Sequence, residues 1–163
     1  MLRHSLAILE YCFVLLLMLV LVGTSNLAIS GESSKVVFKT SELVIVHDEN
    51  RHHFNIEIAN TPRTRQRGLM ERKRMDLNAG MLFDFDRPQF IRMWMKNTFI
   101  PLDMIFIDKT GFITGIASNT TPHSTKVIVS PGLATAVLEL TAGTASRLKI
   151  NVGDRVIHDI FQP

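Results

Sequence analysis

The sequence is divided into many short β-branched or alternating runs, and turn-forming residues stand between them at roughly even intervals. The turn "DKTG", residues 108–111, is typical of a β-hairpin. Because almost no long helical pattern interrupts these runs, the sequence predicts a mainly β protein, a sandwich or barrel with one or two short helices. The predicted strands cover residues 35–40, 42–48, 53–59, 81–85, 90–96, 102–107, 112–117, 126–129, 135–140 and 155–161.

Two short stretches predict helices rather than strands. In "NTPRTRQRG", Thr61 can cap a helix, Pro62 suits its first position, and Gly68 can end it after about two turns. A second short helix is predicted over residues 144–148. Neither helix is long enough to form a layer of its own, so the predicted core depends on the strands.

The N-terminal segment differs in composition from the rest of the chain. Residues 11–22 form an unbroken apolar run, shorter than the roughly 20 residues that a membrane-spanning helix needs. Small residues follow, and they place Ala28 and Ser30 where a cleavage before Gly31 requires them. We therefore predict a signal peptide over residues 1–30, export to the periplasm of a bacterial cell, and a single β-rich domain over residues 31–163. The alternatives are an uncleaved anchor in the inner membrane through residues 11–29, or a buried helix of the fold.

Cleavage of this segment would also remove reactive chemistry from the chain. Tyr11 and Cys12 are the only tyrosine and the only cysteine among the 163 residues. The exported chain would then form no disulfide and offer no thiol nucleophile. It contains neither a Gly-x-Ser-x-Gly elbow nor a His-Glu-x-x-His zinc motif. The sequence therefore leans away from an enzyme and toward a binding or accessory protein.

A cluster of basic residues surrounds the end of the first predicted helix. A stripe of this kind can bind an anionic ligand, a glycan phosphate or a lipid surface, although the alternative is an ordinary solvated helix face. Nucleic acid is not an expected partner, because the chain carries an export signal and no recognisable nucleic-acid motif. Between residues 63 and 74 the single acid Glu71 stands among six cations, which are Arg63, Arg65, Arg67, Arg72, Lys73 and Arg74.

Methionine and histidine residues raise two hypotheses of metal binding. Met93 and Met95 fall on one strand face, and thioethers bind Cu(I), but methionine flanked by apolar residues is more often a core filler. We favour the core interpretation and predict no metal site and no cofactor. A second group brackets a predicted hairpin turn, where surface histidines are the simpler interpretation: His47, Asp48, His52 and His53.

Polar residues interrupt the apolar stretch "RMWMKNTFIPLDMIFID", residues 92–108. Strand alternation would place Arg92, Trp94 and Lys96 on one face and an apolar row on the other. Under one interpretation, Asn97 and Thr98 close a corner with backbone bonds, and Asp103 accepts bonds from amides or a cation. Under the other, a polar pocket floored by Trp94 gathers side chains on a ligand, namely Lys96, Asn97, Asp103 and Glu139. A carboxylate inside an apolar strand needs a partner in either case.

Four stretches occur in a fixed order between residues 67 and 156: "RGLMERKRM", "GMLFDF", "FIRMWMKNTFIPLDMIFIDKTGFI" and "AVLELTAGTASRLKINVGDRV". In order and spacing the chain resembles, from about residue 54, the domain of unknown function 192 (DUF192), a family of small, often exported bacterial and archaeal proteins. The resemblance implies a single compact β-rich domain and no established activity, substrate or cofactor. The positions shared with the family include Arg67, Arg72, Trp94, Asn97, Asp103 and Glu139.

We predict from these observations a pocket around Trp94 that holds a ligand or a partner. The partner would be a small molecule, a glycan or another protein, and membrane contact would come only through an uncleaved N-terminal segment. The alternative is a hydrolase or isomerase in which Asp103 and Glu139 act as acid and base. The candidate ligand-binding residues are Arg67, Arg72, Trp94, Lys96, Asn97, Asp103 and Glu139.

Overall fold

The structure is a computed structural model, and it describes residues 35–161. The predicted signal peptide lies outside the described residues. The helices are α1 (Pro62–Arg67) and α2 (Thr144–Leu148), and a 3-10 turn covers Asp159–Phe161. The strands are β1 (Lys39–His47), β2 (Asn50–Ala59), β3 (Ala79–Gln89), β4 (Arg92–Met93), β5 (Leu102–Ile107), β6 (Ile113–Ala117), β7 (Ile128–Val129), β8 (Ala134–Thr141) and β9 (Arg155–Ile157).

Seven of these strands form one sheet in the order β6-β5-β8-β3-β2-β1-β9, and β4 pairs with β7 in a small second sheet. All neighbours in the large sheet are antiparallel except β2 and β3. The sheet curls so that its edge strands touch at one end without pairing along their length: the Ile113 amide donates to the Asp154 carbonyl at 2.9 Å, and the Val156 amide donates to the Gly111 carbonyl at 2.7 Å. The architecture is therefore a half-barrel, and the predicted β-rich fold class is confirmed.

The two faces of the sheet carry two hydrophobic cores. The first core contains residues of all seven strands of the large sheet and therefore fills its concave side. Its members include Leu43, Phe54, Leu82, Ile105 and Leu138. The second covers the opposite face of β3, β5 and β8 and will be called the outer core. Burial on both faces explains why β5 and β8 read as nearly continuous apolar runs. The outer core comprises Ala59, Leu69, Met81, Phe83, Ile91, Met95, Ile100, Leu102, Met104, Phe106, Ala134 and Val137.

Both predicted helices are present, and α1 begins as its sequence requires. The Thr61 hydroxyl accepts from the Thr64 amide at 3.1 Å, and the Thr64 hydroxyl accepts from the Thr61 amide at 2.9 Å. This reciprocal pair is a capping box, with Pro62 at the first helical position. Because α1 ends at Arg67, the chain turns at Gly68 and can pack down onto the outer core.

The strand predictions over residues 90–96 and 155–161 were too long. Residues 90–96 form a strand only at Arg92–Met93, because the flanking backbone bonds to a loop: the Met95 amide donates to the Ser124 carbonyl at 3.0 Å. Asn97 then has a positive φ of 56° and ends the extended run. Residues 155–161 leave the sheet after Ile157 and form the 3-10 turn. Neither helix among residues 35–161 has the length and apolarity to cross a membrane.

Candidate functional site

A cleft of about 240 Å³ opens on the side of the outer core. One wall is the end of α1 with the turn that follows it, including Arg67 and Met70. The other wall is β4 with the residue after it, Met93 and Trp94. Phe83 on β3 and Glu139 on β8 lie at the base. The cleft therefore exists because two segments outside the main sheet, α1 and β4, stand on either side of the central strands.

Glu139 is the most unusual residue of this cleft. In the sheet register its neighbours are Met81 on β3 and Met104 on β5, and both methionines are fully buried. The Glu139 side chain is only 4% exposed and, within residues 35–161, it makes no hydrogen bond or ion pair. Because burial penalises the charged form, the pKa of Glu139 rises from 4.5 to about 8. The carboxyl group is therefore mostly neutral at pH 7, and it lines the cleft without a partner.

The wall formed by α1 depends on Gly68. This residue has a φ of +46°, and a Cβ atom added there would lie 3.0 Å from the Phe83 ring. Glycine is therefore required both for the backbone conformation and for the close approach of the turn to β3. The next residue, Leu69, is only 2% exposed in the outer core. Together these contacts hold the turn after α1 against the base of the cleft.

Three arginines line the cleft, and they differ in what they bind. Arg65 donates to the carbonyls of Asn60 at 3.0 Å and Asp84 at 2.6 Å, and its guanidinium lies 5.3 Å from the centre of the Phe85 ring. Arg67 pairs with Glu71 at 2.8 Å on the surface. The Arg92 side chain is exposed and makes no ion pair or hydrogen bond with any residue in the described range, although its backbone pairs with β7. Arg92 is therefore the arginine most available to a ligand.

Trp94 lines the cleft, whereas its sequence neighbours Lys96 and Asn97 do not. The indole is 48% exposed, and Lys96 Nζ lies 5.5 Å from the centre of the ring, outside the cleft lining. The Asn97 carbonyl accepts from the Glu71 amide at 2.8 Å, which ties this turn to the segment after α1. Thr98 is buried and lines the cleft. Asn97 therefore helps to position the wall rather than to form it.

Asp103 does not belong to the cleft. Its carboxylate is fully buried and accepts from the Asn119 amide at 3.0 Å and from the Ala145 amide, in the first turn of α2, at 2.9 Å. In the register of β5 and β8, Asp103 faces Leu140, so its side chain lies on the concave side, while Glu139 points to the opposite side. The suggestion that Asp103 and Glu139 share one site is therefore wrong. Asp103 fits the structural interpretation, because it fastens α2 and the 119 loop to the sheet.

Arg72 is also directed elsewhere. It forms an ion pair with Glu57 on β2, and its guanidinium lies 5.7 Å from the centre of the Phe38 ring. Arg72 is absent from the cleft lining and fastens the segment after α1 to the sheet. Of the predicted site residues, the structure brings Arg67, Trp94 and Glu139 together in the cleft and leaves Arg72, Lys96, Asn97 and Asp103 outside its lining.

Three of the residues raised as metal ligands, Met95, Met93 and His47, have clear positions in the structure. Met95 is fully buried, and its sulfur accepts from the Thr120 hydroxyl at 3.1 Å, whereas Met93 is partly buried and lines the cleft. His47 Nδ1 lies 2.9 Å from the Asp154 carboxylate, and this bond is the main reason that the pKa of His47 is raised. Within residues 35–161, no three side chains of His, Asp or Glu come together as a metal site.

The prediction missed Arg65, Arg92 and Met70 as residues of the cleft. A signal for Arg92 was present, since strand alternation placed it on the same face as Trp94. Arg65 and Met70 required knowledge that α1 packs across from β4, and this is a contact between segments far apart in the sequence. The cleft as a whole is therefore a tertiary feature.

The comparisons with known proteins agree with this fold. A family model described as Uncharacterized ACR (DUF192) matches residues 44–158. The chain belongs to this family. The comparison with curated proteins found no match.

Two solved structures resemble this chain of the DUF192 family. One is a protein from Sinorhizobium meliloti 1021 described as a candidate transcription regulator, with 40% identity and a TM-score of 0.74, over 76% of this chain and 96% of that one. The other is a protein of unknown function from Novosphingobium aromaticivorans DSM 12444, with 31% identity and a TM-score of 0.72, over 83% of this chain and 100% of that one. Both share the fold of this chain, and neither description establishes an activity for it.

Proposed function

We propose that this chain is an exported binding protein that holds a small ligand in the cleft between α1 and Trp94. The observation that carries the proposal is Glu139, a carboxyl group that is buried, lines the cleft and has no partner among the described residues. A buried polar group without a hydrogen bond destabilises a fold by about 1 to 3 kcal/mol. Departures from good packing are expected at functional sites, and a ligand that supplies the missing partner would account for this one.

The lining of the cleft supports binding more than catalysis. Apolar side chains such as Phe83, Met93 and Trp94 surround a few polar groups, which is typical of small-molecule sites. The acid–base hypothesis needs a second carboxylate beside Glu139, whereas the other polar residues that line the cleft are arginines, Gln66 and Thr98. Asp103, which was the expected partner, bonds to two amides on the other face of the sheet. The proposed function is therefore a binding or accessory role.

The description of the Sinorhizobium protein as a regulator of transcription does not change this proposal. Recognition helices that enter a DNA groove are longer than α1 and α2, which have 6 and 5 residues. Exposed aromatic residues next to a cleft, as at Trp94, suit a small ligand better than a DNA backbone. A role in sensing a ligand outside the cytoplasm is consistent with the cleft.

The test is to purify the full chain under native conditions and to compare its native and denatured mass spectra. We expect an additional small molecule that is released on denaturation. Trp94→Ala should abolish its retention, since Trp94 forms one wall of the cleft. Phe112→Ala is the matched control, because Phe112 is a similarly exposed aromatic residue that does not line the cleft. Equal retention by both variants, or binding that survives Trp94→Ala, would refute the proposed site.

A further inference from the structure

We propose that the ligand of the cleft is a free amphipathic anion, a small molecule with an apolar body and one acidic group. Its acidic group would lie at Arg92, and its apolar body would lie along Trp94 toward the base of the cleft. This inference rests on the proposed function, because it assigns a chemical class to the ligand of the same cleft.

The charge of the lining is the first argument. Arg65, Arg67 and Arg92 line the cleft, and guanidinium groups stay charged at any ordinary pH. Arg65 bonds to neutral carbonyls and keeps its full charge, whereas Arg67 is partly neutralised by Glu71. The Arg92 side chain has no hydrogen bond or ion pair with another residue of the described region, so its guanidinium can donate two parallel hydrogen bonds to a carboxylate. The lining therefore attracts an anion and repels a cation.

The apolar surface of the cleft is the second argument. Met70 and Met93 contribute flexible thioether side chains, and the half-exposed Trp94 ring offers a broad apolar face between them and solvent. A purely polar anion would leave this surface uncovered. The volume of about 240 Å³ admits one small molecule and not an extended polymer. The ligand is therefore expected to be free and compact, with an apolar part.

Glu139 is compatible with an anionic ligand despite being an acid. The charged groups that line the cleft with it are Arg65, Arg67 and Arg92, and none of them bonds to its carboxyl group. Since burial raises the pKa of Glu139 to about 8, the base of the cleft carries little negative charge at pH 7. A neutral carboxyl group both donates and accepts hydrogen bonds, so a hydroxyl or carbonyl at the inner end of the ligand would satisfy it.

The experiment compares three probes that share an eight-carbon chain and differ in charge: octanoate, octan-1-ol and octylammonium. Each is titrated into the full chain at pH 7, and binding is followed by the fluorescence of Trp94, the only tryptophan of the protein. We expect octanoate to bind about tenfold or more tightly than either other probe. Arg92→Ala should weaken octanoate binding about fivefold or more and leave octan-1-ol unchanged.

Arg87→Ala is the matched control, because Arg87 is an exposed arginine on β3 outside the cleft lining. It removes the same charge and should change octanoate binding by less than about twofold. An equal effect of the two arginine substitutions would mean that octanoate responds to the overall positive charge of the protein and not to a site at Arg92. That result would overturn the inference. A response of Trp94 to phosphatidylglycerol vesicles but not to dispersed octanoate would also overturn it, in favour of a membrane surface.

The outcomes separate this inference from the proposed function. If octan-1-ol or octylammonium binds as tightly as octanoate, the anionic class is wrong, but Trp94-dependent binding still supports a ligand cleft. If none of the three probes changes the Trp94 fluorescence, the amphipathic class is refuted as well. The mass spectra of the native protein then decide the proposed function independently.

Discussion

Glu139→Gln should make the protein more stable at neutral and alkaline pH, because the substitution keeps the volume of the side chain and removes the charge that can develop on it. The pKa of Glu139 is 4.5 in the unfolded chain and about 8 in the fold, where burial penalises ionisation. Between these values the unfolded chain releases a proton that the folded chain retains. The contribution of Glu139 to stability is thus intact below pH 4.5 and is lost as the pH rises toward and through 8.

The magnitude follows from the two pKa values. Each pH unit between them corresponds to about 1.4 kcal/mol in the free energy of unfolding. The ionisation penalty is therefore near zero at pH 4, on the order of 3 kcal/mol at pH 7, and about 4 to 5 kcal/mol above pH 9. Glu139→Gln removes this penalty, so the variant should gain stability by these amounts relative to the native chain.

Urea unfolding of the full chain, followed by far-UV circular dichroism at pH 4, 7 and 9, measures the difference. His47 and His158, whose pKa values are also shifted, titrate in both proteins, so the comparison cancels their contributions. Glu42→Gln is the matched control, because Glu42 is an exposed acid on β1. The free energy of unfolding of this variant should stay within about 0.5 kcal/mol of the native value at every pH. A Glu139→Gln difference that does not grow with pH, or a loss of stability at pH 9, would refute the reasoning.

Three further predictions concern the scaffold and the export signal. Asp103→Ala should lower the free energy of unfolding by about 2 to 4 kcal/mol, because the amides of Asn119 and Ala145 lose their acceptor. Asp103→Asn should recover part of this loss, and an unchanged melting temperature for Asp103→Ala would contradict the structural role. Gly68→Ala should destabilise by about 2 kcal/mol or more in urea unfolding, whereas Gly132→Ala, with open space around it, should be nearly neutral. N-terminal sequencing of the protein from its native host should begin near Gly31, and an intact Met1 in the cytosol would end the export proposal.

Much of the fold could be predicted because its signals are local. The strand over Leu102–Ile107 and the helix over Thr144–Leu148 have the predicted bounds, and α1 begins after its Thr61 cap and ends before Gly68. Each of these elements is marked by neighbouring residues, either an apolar run or a cap. The segment over residues 90–96 lacked such a marker, because its backbone bonds to residues 124–130, which include β7 and are distant in sequence. Its alternation was still informative, since Ile91 and Met95 are buried and Trp94 is exposed.

The candidate site was harder to predict because it depends on register. The sequence identified Asp103 and Glu139 as two acids in apolar strands, but not which faces they occupy. In an antiparallel pair, residues directly opposite each other point to the same side, and here Asp103 is opposite Leu140 while Met104 is opposite Glu139. A slip of one residue would have put both acids on one face.

The same register explains their different chemistry. The face of Asp103 meets the start of α2, where the Ala145 amide donates a hydrogen bond to the carboxylate. The face of Glu139 meets Met81 and Met104, which offer no hydrogen-bond donor. One acid is therefore held by hydrogen bonds within the fold. The other has no partner among the described residues, and the proposed function assigns its partner to a ligand.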